Sequence, residues 1–125
     1  MRLLLDTHVL LWVMADDPAL SPMARAVIGK AEVVYVSAVS LWEISIKASL
    51  GKLRVDQERF VEQLQVAGFE LLSITWGHAE MVRQLPDIHR DPFDRMLVAQ
   101  AVSEPLRLLT ADKLLARYSE LVMTL

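Results

Sequence analysis

Residues 3–13 read LLLDTHVLLWV, and the spacing of the apolar residues changes at the acidic residue within this stretch. The first three residues form a short apolar run of strand length. After Asp6 the apolar residues recur at helical spacing instead. The stretch therefore predicts a strand that ends at Asp6 and a helix that follows it directly.

The rest of the chain continues this alternation of strands and helices. Apolar runs predict strands over residues 33–36, 69–74 and 106–109, with an edge strand over residues 121–123. Capping residues and helical spacing predict helices that begin near Ser21, Ser37, Asp56, Thr75 and Asp91, and a short helix over residues 111–118. Strands joined through helices use right-handed crossovers, so the expected fold is α/β: a three-layer α/β/α sandwich with a mainly parallel central sheet.

The length of 125 residues is that of one domain, and we expect a single domain over residues 1–125. No apolar run reaches the roughly 20 residues that span a membrane, and the N-terminal residues do not form an export signal. The chain has no cysteine, which excludes thiolate metal sites and is compatible with a reducing cytosol. We therefore expect a cytoplasmic protein without membrane contact.

Apolar residues make up 54% of the chain, more than in a typical soluble domain. A domain of this size cannot bury all of them, and large exposed apolar patches usually mark contact sites. The composition therefore indicates a partner protein or self-association.

Four acidic residues occupy positions where functional sites form in open parallel sheets, beyond the carboxyl ends of the strands. Asp6 directly follows the first predicted strand, and Asp112 follows the fourth on a turn that opens with Thr110. Glu43 lies in the first turns of the helix after the second strand, and Asp94 lies in the first turn of the helix before the fourth. We expect the four acids to converge on one rim of the sheet.

Clustered carboxylates repel one another unless a cation compensates for their charge. Their oxygens select hard cations, so the cluster predicts a Mg²⁺ or Mn²⁺ site at which metal-activated water hydrolyses a phosphodiester. The hydroxyls of Thr7, Ser40 and Thr110 lie near these acids in the sequence, where they would hold a carboxylate or a metal-bound water. With four acids neutralised in this way, the formal net charge of −3 does not argue against RNA as the substrate.

Each of these acids also has a purely structural interpretation. Asp6 can cap the helix that follows it. Glu43 can pair with Lys47 one helical turn later. Asp94 and Asp112 can be acids that a helix dipole favours. Taken singly the four positions are not specific, and the prediction depends on their joint placement at strand ends.

A group of polar residues surrounds Asp94 in the sequence. For Asp91, which precedes a proline, the favoured interpretation is the N-cap of a helix. Arg90 and Arg95 are candidates for bidentate hydrogen bonds to the RNA backbone, although Arg95 can instead form an ion pair with Asp91 one helical turn earlier. His89 and His8 flank the expected rim and are candidates for phosphate contact or proton transfer, or are simply solvated.

Two tryptophans, Trp12 and Trp42, lie on helices that follow strands. Stacking on RNA bases is conceivable there, but packing in the core or against a partner is the favoured interpretation.

Other phosphate chemistries fit the sequence less well. A phosphatase with Asp6 as nucleophile would want a second aspartate two residues later, where His8 stands. A phospho-acceptor domain would need an aspartate after the central strand, where the sequence has residues 73–75, SIT.

Four segments, spread in order over nearly the whole chain, together resemble the PIN-domain family, and in particular the VapC-type toxins of bacterial toxin-antitoxin pairs. They are LLLDT at 3–7, SLWEI at 40–44, RDPFDRMLVAQA at 90–101 and LTADK at 109–113. The resemblance implies a PIN-like fold, Mg²⁺- or Mn²⁺-dependent RNA cleavage, frequent dimerisation and inhibition by a cognate antitoxin protein. It carries Asp6, Glu43, Asp94 and Asp112 over as metal ligands.

The chain departs from the family pattern at one place. The family often has a further acid shortly after the position of Asp112, whereas Leu114 and Leu115 follow Lys113 here. The resemblance therefore does not imply a complete second metal site. The alternative to a metal-dependent endoribonuclease is a non-catalytic interaction module with the same fold.

Overall fold

The computed structural model describes residues 1–125, apart from the side chain of Gln57. Within these residues five strands and six helices alternate, and a 3₁₀ helix precedes the last strand. The strands are β1 (Arg2–Leu5), β2 (Val33–Ser37), β3 (Glu70–Leu72), β4 (Arg107–Thr110) and β5 (Val122–Thr124). The helices are α1 (Thr7–Ala15), α2 (Pro22–Lys30), α3 (Ala38–Ser49), α4 (Gln57–Val66), α5 (Trp76–Gln84) and α6 (Pro92–Ser103), and the 3₁₀ helix is Lys113–Arg117.

The sheet is parallel throughout, with the strand order β3-β2-β1-β4-β5. The central strand β1 contains Leu3, Leu4 and Leu5, and all three are fully buried. Leu3 and Leu5 pack with residues of α1, α2 and α4 on one face, and Leu4 packs with residues of α6 on the other. A continuous apolar run suits a strand that is covered on both faces. The predicted three-layer α/β/α sandwich is confirmed.

Side chains cap several helices where the sequence predicts it. The oxygens of Ser21, Ser37 and Thr75 accept backbone N–H hydrogen bonds at 3.1, 3.0 and 3.2 Å at the starts of α2, α3 and α5. Asp6 and Asp56 occupy the N-cap positions of α1 and α4, but neither side chain accepts a capping hydrogen bond from the described residues. The capping interpretation of Asp6 is therefore wrong.

Two predicted elements differ from the structure. The strand predicted over residues 69–74 is only Glu70–Leu72, because β3 is an edge strand that pairs with β2 alone. The helix predicted over residues 111–118 is a 3₁₀ helix of five residues, Lys113–Arg117. Short 3₁₀ turns are common as connectors between elements, and this one connects β4 to β5. In addition, β4 extends to Thr110, because Thr110 pairs with Thr124 of β5.

None of the helices in the described part of the chain combines the length and apolar character that a membrane crossing requires.

Candidate active site

The candidate site lies at the carboxyl ends of the central strands. β1 and β4 are parallel neighbours in which Leu5 pairs with Leu109, so the residues that follow them emerge on the same rim. The Asp6 N–H donates to the Leu109 carbonyl at 3.0 Å, which fixes Asp6 at this point. The Asp112 N–H donates to Thr110 Oγ1 at 3.0 Å, so the turn after β4 is held against the same rim.

Asp6 is buried, with a relative exposure of 4%. One carboxylate oxygen, Oδ2, accepts a hydrogen bond of 2.5 Å from the Thr110 hydroxyl. The other oxygen, Oδ1, is buried and has no hydrogen-bond partner among the described residues. Burial raises the pKa of Asp6, while the hydrogen bond from Thr110 acts in the opposite direction. Thr110 thus holds one oxygen of the carboxylate and leaves the other unsatisfied.

Asp94 lies in the first turn of α6, close to the other acids. Its pKa is raised to about 7, mainly by burial and then by the negative charges of Asp6 and Asp91, and the charge of Glu43 adds to this. The charge of His89 acts against these effects. The charges of Asp6 and Glu43 act on Asp94 because these acids, from three different segments, lie near one another.

Asp112 and Asp94 are bridged by a histidine. His89 Nε2 lies 3.1 Å from Asp112 Oδ2 and 3.5 Å from Asp94 Oδ2. The three side chains each present a ligand atom, and these atoms lie within 4.8 Å of one another. Asp112 Oδ1 accepts the Leu114 N–H at 2.9 Å, which makes Asp112 the N-cap of the 3₁₀ helix. The structural and the functional interpretation of Asp112 therefore involve different oxygens.

Glu43 is buried in α3, with 5% exposure, and its Oε2 accepts a hydrogen bond of 2.7 Å from Lys47 Nζ. The pair predicted from the sequence is therefore present. The pKa of Lys47 is raised chiefly by this hydrogen bond, and the charges of Asp91 and Asp94 contribute in the same direction. Lys47 thus brings a positive charge to the edge of the acidic cluster, a role that the sequence analysis did not give it.

The three predicted hydroxyl residues do different things. Thr110 contacts Asp6 directly, as described above. Thr7 Oγ1 donates to Ser40 Oγ at 2.9 Å, and both side chains are buried. This hydrogen bond joins the start of α1 to α3, so it ties the helix that follows Asp6 to the helix that carries Glu43.

Asp91 is the N-cap of α6, as the sequence favours. Its Oδ1 accepts the N–H groups of Phe93 and Asp94 at 2.8 and 3.1 Å. The capping bond also fixes the backbone of Asp94.

The two arginines near Asp94 differ. The Arg95 guanidinium donates to the carbonyls of Val82 and Pro86 and to the Tyr118 hydroxyl at 3.1, 3.1 and 3.2 Å. Within the described residues it does not pair with Asp91, so that alternative is wrong, and its donors are engaged in holding the loop before α6. Arg90 is exposed, beside a groove that Trp42 also lines.

The remaining candidates lie at the border of the site. His8 is exposed, and its charge lowers the pKa of Asp6. Trp12 is half-buried against the core, in agreement with the packing interpretation. Trp42 is 58% exposed and contacts Phe93 edge-on, with ring centroids 5.2 Å apart.

The contact of His89 with two of the acids had no distinctive sequence signal beyond its place two residues before the cap Asp91.

These features fit a site that a cation completes. Two features of the described site are unfavourable alone: a buried carboxylate oxygen without a partner on Asp6, and the raised pKa of Asp94, to which the charges of nearby acids contribute. A divalent cation would relieve both, and carboxylate oxygens are the ligands that Mg²⁺ and Mn²⁺ prefer.

The fold and this rim define a parallel α/β/α protein with an acidic centre beyond its central strands. A model of the PIN domain family matches residues 3–121. The chain is 30% identical over 121 residues to "Ribonuclease VapC22" of Mycobacterium tuberculosis, an alignment that covers 88% of this chain and 86% of that protein. The chain therefore belongs to the PIN-domain family, as the sequence resemblance implies.

Solved structures support the same fold. The chain resembles VapBC2 from Rickettsia felis bound to a promoter DNA fragment, with a TM-score of 0.73, 15% identity and coverage of 99% of this chain and 98% of that chain. It also resembles DNA-bound VapBC from Salmonella typhimurium, with a TM-score of 0.70, 16% identity and coverage of 99% and 98%.

Proposed function

We propose that the chain is a metal-dependent endoribonuclease, the toxin of a toxin-antitoxin pair, and that residues 1–125 form its single nuclease domain. The relative from Mycobacterium tuberculosis is named as a ribonuclease, and the similar solved structures are VapBC assemblies. The observation that carries the proposal is the placement of these acids at one rim, with Asp94 and Asp112 close together around His89. Burial, and then the charges of Asp6 and Asp91, raise the pKa of Asp94 to about 7. A protein that only bound a partner would gain nothing from this destabilising arrangement.

In this proposal Asp6, Glu43, Asp94 and Asp112 hold Mg²⁺ or Mn²⁺. A cation held by these residues would supply a water of lowered pKa and would offset the negative charge that develops on the leaving oxygen of the phosphodiester. The buried Oδ1 of Asp6 offers a free lone pair, since Thr110 occupies the other oxygen. The protein supplies no side-chain nucleophile, so its own contribution is to fix these oxygens and orient the RNA.

Positive groups beside the acids favour RNA as the substrate. Lys47 Nζ is hydrogen-bonded to Glu43, but the Lys47 side chain remains 40% exposed. Arg90 is exposed near the start of α6 and remains our candidate for a contact with the RNA backbone. Arg95 is a weaker candidate because its donors hold the loop.

The partners in this proposal are a cognate antitoxin protein and a second copy of the chain. Exposed apolar residues on α3 and α5, including Trp42 and Trp76, provide surface that such partners would cover. An enzyme that cuts cellular RNA acts where that RNA is, so we propose the cytoplasm as its compartment.

The test of this proposal removes one charge at a time. Asp94→Asn and Asp6→Asn keep the shape of the side chain but remove a ligand oxygen charge, and we expect Mg²⁺-dependent cleavage of total cellular RNA to fall by at least about a hundredfold. Asp56→Asn is the matched control, because Asp56 is exposed and its side chain caps no described N–H group. Circular dichroism checks that all three variants are folded.

All four proteins are purified identically, so a contaminating ribonuclease would cut equally in each sample. Undiminished cleavage by Asp6→Asn or Asp94→Asn would reject the assignment of the site. Cleavage that EDTA does not affect would reject the metal dependence. No cleavage by the unaltered chain in Mg²⁺ or Mn²⁺ would favour the non-catalytic module.

A further inference from the structure

His89 lies between two of the proposed metal ligands, Asp94 and Asp112, although the sequence does not predict it to be a ligand. We propose that His89 is a positioning residue: its Nε2–H group holds the carboxylates of Asp112 and Asp94 in place, and the ring does not bind the cation. This inference rests on the proposed metal site. The competing view is that His89, Asp94 and Asp112 form a three-ligand cluster, which their spacing within 4.8 Å would permit.

The hydrogen bond at the other ring nitrogen decides between these views. His89 Nδ1 accepts the Asp91 N–H at 3.0 Å. A nitrogen that accepts a hydrogen bond carries no proton, so the neutral ring must carry its proton on Nε2. Nε2 is the atom that faces Asp112 Oδ2 at 3.1 Å and Asp94 Oδ2 at 3.5 Å. A protonated Nε2 donates to Asp112 Oδ2, lies close to Asp94 Oδ2, and has no lone pair for a cation.

The position of His89 is itself fixed by a small network. The His89 N–H donates to the Tyr118 hydroxyl oxygen at 2.7 Å, and the Tyr118 hydroxyl donates to the His89 carbonyl at 3.2 Å. Arg95 Nη1 donates to the same carbonyl at 3.4 Å and to Tyr118 at 3.2 Å. Tyr118 directly follows the 3₁₀ helix that Asp112 caps, so one short segment holds both the donor and its acceptor.

The contact with His89 orients the Asp112 carboxylate and still leaves it able to bind a cation. Asp112 Oδ1 is occupied by the Leu114 N–H, so Oδ2 is the oxygen left for other contacts. Each carboxylate oxygen can accept more than one contact, so a hydrogen bond from His89 leaves Oδ2 able to bind a cation. The same Nε2–H group lies near Asp94 Oδ2, where its positive end offsets part of the repulsion between the two carboxylates without a metal present. Second contacts of this kind orient ligands and typically change metal affinity about 10–100-fold.

The tautomer can be measured directly by NMR. In ¹⁵N-histidine-labelled, metal-free protein at about pH 8.5, where an ordinary histidine is neutral, we expect the long-range ¹H–¹⁵N pattern of the Nε2–H tautomer for His89. The pattern should persist at saturating Mg²⁺. An Nδ1–H pattern, or loss of the Nε2 proton on adding Mg²⁺, would overturn the proposal.

His78 is an internal reference in the same spectrum. Its Nδ1 accepts the Thr75 N–H at 3.1 Å and its Nε2 lies 2.6 Å from Glu104, so it should show the same tautomer. Within the described residues its hydrogen bonds do not involve the four acids, and its signals should not respond to Mg²⁺.

Metal affinity gives the second measurement. By calorimetry with Mn²⁺ as the probe, His89→Ala should bind about 10–100-fold more weakly than the unaltered chain, and His89→Gln, which keeps a terminal N–H donor, should recover most of the affinity. Unchanged affinity in His89→Ala, or no recovery in His89→Gln, would overturn the positioning role. If the unaltered chain bound no Mn²⁺, the proposed function would fail together with this inference; an Nδ1–H ring in a chain that does bind Mn²⁺ would overturn this inference alone.

Discussion

At the scale of single residues, Asp94 is the acid whose ionisation lowers the stability of the metal-free protein. Its pKa is raised to about 7 from an ordinary value of 3.8, so between these values the folded chain binds a proton that the unfolded chain has released. Stability then decreases as the pH rises, because the unfolded state binds fewer protons than the folded state. The loss begins above the unfolded pKa and is complete above about pH 7.

We therefore expect Asp94→Asn to stabilise the chelated protein more at high pH than at low pH. Urea unfolding in EDTA at about pH 5 and about pH 8 should show that the advantage of the variant grows by about 2 kcal/mol between the two conditions. Asp56→Asn, at an exposed position, should show no such change. An equal advantage of Asp94→Asn at both pH values would mean that neither burial nor the neighbouring charges raise the pKa of Asp94 in the folded chain.

Much of the candidate site could be predicted residue by residue, but the hydrogen bonds that join its residues to other segments could not. Asp6, Asp94 and Asp112 were identified because strand ends and helix starts leave a local pattern. The bonds of Arg95 to Val82 and of Tyr118 to His89 join segments far apart in the chain, and no periodicity in the sequence encodes them. The same holds for the placement of His89 between two acids.

At the scale of elements, the start of α6 combines a structural and an electrostatic role in Asp91. Replacing Asp91 by Asn keeps an oxygen that caps the helix and removes the charge that raises the pKa of Asp94. Replacing it by Ala removes both. The difference between the two variants therefore isolates the cap.

We expect Asp91→Ala to be less stable than Asp91→Asn by about 1 kcal/mol, the usual contribution of an N-cap side chain. Chemical denaturation in EDTA measures the difference. Equal stabilities would show that the two hydrogen bonds at the start of α6 contribute little.

The elements themselves were predictable wherever burial or a cap imposed a pattern. The apolar run of β1 and the serine, threonine and aspartate caps of α2, α3, α5 and α6 gave the correct order of strands and helices. The end of β3 was not predictable, because the alternation of apolar and polar residues continues through Ser73 and Ile74 after the strand stops pairing with β2. Such a limit is set by a neighbouring strand and not by local preference.

At the scale of the whole molecule, one face leaves large apolar side chains in water. Trp42 on α3, Ile74 before α5 and Trp76 at the start of α5 are 58%, 40% and 93% exposed. Trp42 and Ile74 line one groove together with Ala79 and Val82, and Trp76 lines the adjoining depression, also with Ala79. We call these five residues the tryptophan face. In the proposed dimer, this is the face that we expect a second copy of the chain to bury.

Trp76→Glu should therefore weaken self-association. A two-fold symmetric interface loses the side chain in both copies, and at about 1.5–3 kcal/mol for each large apolar side chain the dimer should lose at least about 3 kcal/mol, which raises its dissociation constant about a hundredfold. Val66→Glu is the matched control, because Val66 is 82% exposed on α4, outside the tryptophan face. Sedimentation equilibrium from low to high micromolar concentrations measures the effect. A monomeric unaltered chain over this range would contradict the proposed dimer, and equal effects of the two variants would place the contact elsewhere than on the tryptophan face.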